Sequence, residues 1–154
     1  MDQIELPTSL PVSEDLAKET ILLKSKESAV VVENGKQRQL LENWISAGLD
    51  VHLSTIVCVD EQEHFDLLYY FMNRFSHETL ALVVRIPKND LQTPSIADLL
   101  DSRYYEGEIR EMFGVIFKGN SIDNVFLPED WQEGYPLRKD WVAPRKENAG
   151  GSKK

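Results

Sequence analysis

The stretch that decides the fold reads VHLSTIVCVDEQEHFDLLYYFMN from Val51 to Asn73 and resumes as LALVVRIP from Leu80 to Pro87. Apolar residues recur through it at a period of two. Val51, Leu53, Val57 and Val59 share one face of a first strand, Phe65, Leu67, Tyr69 and Phe71 of a second, and Leu80, Leu82, Val84 and Ile86 of a third. Side chains alternate across a strand, so each run predicts one buried face. The connections Asp60 to Glu63 and Asn73 to His77 are too short for crossovers and predict antiparallel hairpins.

Upstream, the β-branched run Ala29 to Glu33 closes on the turn pair Asn34-Gly35 and predicts another strand. Leu40, Leu41, Trp44 and Ile45 then recur at helical spacing between Lys36 and Ala47, and Gly48 follows where a left-handed C-cap sits. Residues 1–28, with Pro7 and Pro11 among scattered acids, read as a loosely ordered lead-in. Downstream, Pro87 and Pro94 bound a loop, and Ser95 is placed to cap a short helix carrying Ile96, Leu99 and Leu100. A second helix is expected from Arg103 to Phe113, with the stripe Tyr105, Ile109, Met112 and Phe113, ending at Gly114. On it Glu106 and Arg110 stand one turn apart, in the favourable order for an ion pair. The predicted architecture is α+β: a mostly antiparallel sheet covered by helices, with its core in 29–118. An extended irregular arm occupies 119–141 and a disordered basic tail 142–154, a solvated terminus or a tether onto an acidic partner.

At 154 residues and 42% hydrophobic content the chain suits one domain with a real core. A net charge of −9 argues against nucleic acid as its ligand, because phosphate binding needs clustered Lys and Arg. No apolar run approaches the roughly 20 residues of a bilayer span, and the first residues carry neither a basic nor an apolar signal. The expectation is a cytoplasmic protein that meets a membrane through a partner. Cys58 is the only cysteine, so the chain alone builds no disulfide and no Cys-only metal or iron–sulfur site, and the apolar run around it predicts a small buried side chain. His52, His64 and His77 lack ligand spacing, and no phosphate-cradling or nucleophile-elbow motif is present. Glu106, Glu108 and Glu111 have two readings: a solvated or ion-paired helix face, or paired carboxylates for acid–base chemistry. The first is preferred, since no desolvating pocket is visible around them. No catalytic residue is assigned.

The strongest local signal is LPEDWQEGYPLRKDW, Leu127 to Trp141. Pro128 and Pro136 restrain the backbone, Trp131, Tyr135 and Trp141 are large stiff contact groups, and Arg138 offers a planar fork for a carboxylate. Aromatic residues with Arg make up interface hot spots, but the same loop could lie on its own sheet. Both readings stand on composition alone.

The segment from Tyr104 to Trp141 resembles the signature region of the complex I 30-kilodalton (C-subunit) family, which also occurs in group 4 membrane-bound nickel–iron hydrogenases. That pattern is E-R-E-x-x-D/E-M/L-F/Y-G, then L-P-E-D-W and P-L-R-K-D. Glu106, Glu108, Glu111, Met112, Phe113 and Gly114 match the first, Leu127 to Trp131 the second and Pro136 to Asp140 the third. Gly107 departs from the pattern's Arg, Arg110 stands where an aromatic is common, and Asn120-Ser121 replaces a His-Pro pair. These departures favour an energy-converting hydrogenase or a similar relative over typical respiratory complex I. The resemblance implies a non-catalytic clamp on the cytoplasmic, hydrophilic arm, packed between the large catalytic (or quinone-site) subunit and the small iron–sulfur subunit. It implies no cofactor in this chain, the iron–sulfur clusters and any nickel–iron centre belonging to partners. The expected contact surface comprises Glu106, Glu108, Glu111, Phe113, Gly114, Leu127, Pro128, Asp130, Trp131, Tyr135, Pro136, Leu137, Arg138, Lys139, Asp140 and Trp141. A free-standing protein-binding module is the other alternative.

Overall fold

In a computed structural model, which describes residues 9–122 and 124–145, Phe65, Leu67, Tyr69 and Phe71 are all fully buried. They mark the inner face of strand β4 (His64–Asn73), held between β3 (Val51–Asp60) and β5 (Thr79–Pro87) in two antiparallel ladders. Strands β1 (Ala17–Leu22) and β2 (Ser28–Val32) complete a five-stranded sheet of order β1-β2-β5-β4-β3. Only β2 and β5 run parallel in that sheet. The architecture is α+β, as the alternation predicts.

Helices α1 (Lys36–Ser46) and α2 (Arg103–Phe113) cover one face of the sheet, and β4 supplies the contact for each. Trp44 meets Phe71 edge-on at 5.3 Å and Phe113 meets Phe65 edge-on at 5.6 Å. Both phenylalanines lie on the same side of β4, which fixes both helices on that side. At the end of α1, Gly48 N–H bonds Ile45 O and Leu49 N–H bonds Trp44 O, each at 3.0 Å, the paired closure of a Schellman motif. The left-handed φ of +79° at Gly48 makes this turn possible. The opposite face of the sheet carries a smaller cluster of Ala29, Val31, Leu68, Ala81 and Val83.

Four expectations need correction. The lead-in is not loose over its described part: β1 pairs with β2, Leu10 and Leu16 join the core, and Trp44 Nε1 donates to Pro11 O at 2.8 Å. Residues 1–8 and 146–154 lie outside the described residues, and with them most of the basic tail. In β3 the strict alternation fails, because a bulge at Ser54 shifts the register between Leu53 and Thr55. Beyond it Ile56 points inward at 5% exposure, while Val57 turns outward at 41% and Val59 packs in the second-face cluster. The same bulge turns Ser54 O toward α2, where Tyr105 Oη donates to it at 3.2 Å. The proline-bounded loop contains a short strand, β6 (Gln92–Pro94), parallel to β7 (Ile116–Lys118). Finally, Ser95 to Leu100 forms a single turn rather than a helix: Ser95 Oγ accepts Ala97 N–H at 3.0 Å as a cap does, and Leu99 and Leu100 N–H both close on Ile96 O, but no further turn follows.

The bulge makes a sharp forecast about neighbouring residues. Ile56→Ala should cost about 2–5 kcal/mol as a core truncation, whereas Val57→Ala should stay within about 0.5–1 kcal/mol as a surface change. Urea midpoints of the two variants check this, and equal losses would mean that the register does not shift.

Candidate functional site

Helix α2 carries the residues that the sequence singles out, and its faces separate them. Glu106 lies in the first turn and is completely buried. Its carboxylate accepts from Ser95 Oγ (2.6 Å), Ile96 N–H (2.9 Å), Ser102 Oγ (3.0 Å) and Asn120 Nδ2 (2.9 Å). This corrects the solvated-face reading of Glu106: it turns inward rather than pairing with Arg110 across the surface. A buried carboxylate is tolerated when donors occupy its oxygens, and the two serines, one backbone amide and Asn120 do so. Both oxygens of Glu106 are engaged and shut off from solvent.

Phe113 and Gly114 are likewise buried in the chain's own core, not displayed to a partner. Glu108 is exposed. Glu111 faces the arm: its Oε1 accepts Val125 N–H at 2.6 Å, and its Oε2 accepts Phe126 N–H at 2.8 Å and Leu127 N–H at 3.3 Å. The separation of core and arm at residue 118 is therefore crossed by many bonds.

The departures from the family pattern converge in space. A Cβ on Gly107 would stand 2.8 Å from Ile122 Cγ2, so the missing side chain is what lets the chain after β7 lie directly on α2. Arg110 Nη1 donates to Ile122 O at 2.9 Å, and Asn120 Nδ2 donates to Arg103 O at 3.1 Å as well as to Glu106. Along the sequence these three positions are separate oddities; the fold makes them one contact.

The arm then returns to the C-terminal end of α2. Leu137 N–H donates to Met112 O at 3.2 Å, and Arg138 Nε donates to Phe113 O at 2.6 Å. These satisfy last-turn carbonyls that an α-helix leaves without internal partners. The Arg138 guanidinium lies 4.4 Å from the centre of the Tyr135 ring and 5.4 Å from that of Phe65. One residue on, Lys139 N–H donates to Asp60 Oδ2 at 2.9 Å at the end of β3. Trp131 and Trp141 stack at 6.4 Å, and their ring N–H groups donate to Gly134 O and Glu133 O. Pro128, Asp130, Lys139 and Asp140 are exposed, whereas Leu127, Trp131, Pro136 and Trp141 are half-buried.

Between α2 and the arm lies a cleft of about 470 Å³, lined among others by Glu111, Leu127, Pro128, Trp131 and Tyr135. Ile116 (50%) and Tyr135 (41%) are exposed apolar groups in its lining, and Phe126 (49%) and Leu137 (53%) are exposed elsewhere on the arm. Ile116 and Phe126 are absent from the sequence-derived surface. Ile116 was legible, since in Val115-Ile116-Phe117 alternation buries the outer two and exposes the middle one. Nothing local marks Phe126; its exposure follows from the three amides held by Glu111.

Asp60 is buried, with Lys88 Nζ at 3.0 Å and the amides of Gln62 and Lys139 on its oxygens. Burial works against its charge, but the Lys139 amide, the Lys88 ammonium and the Gln62 amide prevail and bring its pKa down to about 2. Cys58 is pushed up to about 12, first by burial and then by the nearby charges of Asp60 and Asp66, which leaves it a poor nucleophile.

Over residues 30–147 the chain matches the family described as respiratory-chain NADH dehydrogenase, 30 Kd subunit. It is 33% identical over 81 residues to the NADH-quinone oxidoreductase C-subunit of Roseiflexus castenholzii, covering 51% of this chain and 46% of that one. To the corresponding C-subunit of Ruegeria pomeroyi it is 32% identical over 92 residues, covering 59% and 46%. The chain thus spans about half the length of the curated relatives it matches. Among solved structures it resembles a chain of the membrane-bound sulfane sulfur reductase, an archaeal respiratory membrane complex. There the TM-score is 0.66 at 24% identity, over 80% of this chain and 76% of that one. It also resembles the trypsin-resistant fragment (1-134) of Nqo5, with a TM-score of 0.59 at 20% identity over 68% and 88%. At these identities the structural likeness is one of fold.

Two tests follow from the buried acids. Glu106→Gln keeps the size but places an amide donor against a ring of donors, and should cost about 1–3 kcal/mol in a denaturant melt; an unchanged midpoint would remove the network from the stability of the domain. For Asp60 the folded pKa is depressed, so its stabilising contribution is complete above the unfolded value near 4 and fades as pH falls toward about 2. The stability gap between the wild type and Asp60→Asn should therefore be constant above about pH 5 and close between about pH 4 and 2. A gap that persists undiminished at low pH would show that the carboxylate's charge is not what holds Lys139.

Proposed function

Because the chain belongs to the family of the respiratory-chain NADH dehydrogenase 30 Kd subunit, we propose that it is a non-catalytic structural subunit of a membrane-bound, complex I-like oxidoreductase. In that role it clamps the large catalytic (or quinone-site) subunit and the small iron–sulfur subunit together. The observation that carries the reading is the set of exposed apolar groups, Ile116 and Tyr135 in the cleft and Phe126 and Leu137 elsewhere on the arm, next to an arm pinned to α2 from its first turn to its last. Exposed aromatic and aliphatic groups on a rigid backbone suit burial against another protein. The proposal places the chain on the cytoplasmic side of the membrane, held there by its partners. Among the described residues no helix is long and apolar enough to cross a membrane.

Redox centres belong, in this proposal, to the partner subunits. The lone thiol at Cys58 is held protonated by its burial, which fits a packing role. The departures at Gly107, Arg110 and Asn120 from the respiratory pattern favour, in this proposal, a parent complex of the energy-converting hydrogenase type over the NADH:quinone type. A free-standing binding module would show the same exposed apolar groups, so the partners themselves must decide.

Affinity capture of the tagged full chain from mildly solubilised native membranes should bring down one large catalytic subunit and one small iron–sulfur subunit in constant ratio. Metal and visible-absorption analysis of the chain after separation should show neither iron, nickel nor flavin. Migration of the chain alone would overturn the clamp reading, and a stoichiometric metal on the separated chain would overturn the assignment of redox centres to partners.

A further inference from the structure

Asn34-Gly35, the turn pair that follows β2, is the one place in the 154-residue chain where asparagine precedes glycine. In an open chain this pair is chemically unstable, because glycine has no Cβ to hinder its own nitrogen from reaching the asparagine side chain. The glycine nitrogen attacks Cγ of the asparagine and a new C–N bond forms. The bond from Cγ to the side-chain nitrogen breaks, and ammonia leaves with the proton that the glycine N–H gives up. Water then opens the cyclic imide at either carbonyl and yields aspartate or isoaspartate. For ring closure the side-chain amide must turn back onto the main chain, and the glycine N–H must be free.

In the folded chain each group that this step needs is engaged elsewhere. Asn34 Nδ2 donates to Gln92 O at 2.7 Å, and Asn34 Oδ1 accepts from Thr93 Oγ1 at 2.7 Å. Gly35 N–H donates to Gln37 Oε1 at 2.8 Å. Gln37 Nε2 donates to Thr93 Oγ1 at 2.9 Å, which closes a ring of contacts through Asn34, Gly35, Gln37 and Thr93. Gln37 and Thr93 are buried, whereas Asn34 is exposed. Water therefore reaches the pair, and hydrogen bonds rather than burial hold it. Gln92 and Thr93 both belong to β6, which is held in turn by its ladder with β7.

We infer that Asn34 is a latent deamidation site locked by β6, and that its conversion keeps β6 from returning. The product has no amide hydrogen for Gln92 O and sets a carboxylate oxygen against that carbonyl instead. Isoaspartate also adds a methylene to the main chain immediately before Gly35, the N-cap of α1. The effect reaches α2, because Ser95 follows β6 and donates to Glu106. Ring closure is slow beside the opening and closing of a short strand, so its rate follows the open population of β6. No partner is needed for any of these steps.

The full chain is incubated at mildly alkaline pH, folded or in urea, and peptide mass spectrometry with chromatography follows aspartate and isoaspartate at position 34. The folded wild type should convert at least about tenfold more slowly than the unfolded chain. Thr93→Val should speed conversion of the folded chain by about threefold or more and leave the rate in urea unchanged. Thr93→Ser, which keeps the hydroxyl, should react as the wild type does. Asn34→Asp should speed hydrogen exchange at Ser95 and Ile116, whose amides bond Lys118 O and Leu91 O beside β6, with the amides of β4 unchanged.

Equal rates in the folded and unfolded wild type would overturn the lock outright. Wild-type rates in Thr93→Val, with β4 still protected, would remove the Thr93 hydroxyl from it. If Thr93→Val loses protection in β4 it has unfolded, and the wild-type comparison with Thr93→Ser decides. Unchanged exchange at Ser95 and Ile116 in Asn34→Asp would show that β6 returns after conversion, and the second half of the inference would fall.

Discussion

The chain around the first turn of α2 is arranged to satisfy one buried carboxylate. Leaving Glu106 with unmet oxygens at zero exposure would cost several kcal/mol, so its burial requires donors from several directions. They come from the turn after β6, from the N-cap of α2 and from the segment after β7. Ser102 shows the priority clearly: as N-cap it would ordinarily bond a helix amide, yet its hydroxyl goes to Glu106 instead. Ile96 N–H, which has no partner within its own turn, goes to the same carboxylate. One acid thus joins the N-cap of α2 to the two segments that leave the β6–β7 ladder side by side.

From that junction the arm inherits its course. Asn120 ties the start of the arm to the first turn of α2, Ile122 settles where Gly107 offers no side chain, and Glu111 gathers the next amides a turn further along. Arg138 closes the circuit at the last turn, and Asp60 fastens the following residue to the end of β3. An irregular segment with this many anchors has little entropy left to lose on binding, and preorganisation of that kind raises affinity without adding contacts. An arm held in this way keeps its apolar groups exposed and stops them collapsing onto the core.

The sheet contributes the rigid base and one geometric adjustment. Phe65 and Phe71 on β4 anchor α2 and α1 respectively, so both helices share one reference strand. The bulge at Ser54 rotates the second half of β3, which brings Asp60 inward to meet Lys139 and frees Ser54 O for Tyr105. Without that extra residue, strict alternation would have put Val59 and not Asp60 on the arm's side. The bulge and the arm are therefore parts of one fit.

Periodicity alone determined the strands β3 to β5, the α2 boundaries and the α+β class, because burial imposes a repeat of 2 or 3.6 residues that composition records directly. Motif resemblance added the family, carried by residues 104–141. What only the tertiary structure decided was where polar groups go. Glu106, Glu108 and Glu111 look alike in sequence, yet one is buried in a ring of donors, one is exposed and one holds a loop. Likewise β6 and the inward turn of Asp60 depend on partners far along the chain. A hydrogen bond is a property of two groups at a distance and an angle, and no local window of sequence contains the second group.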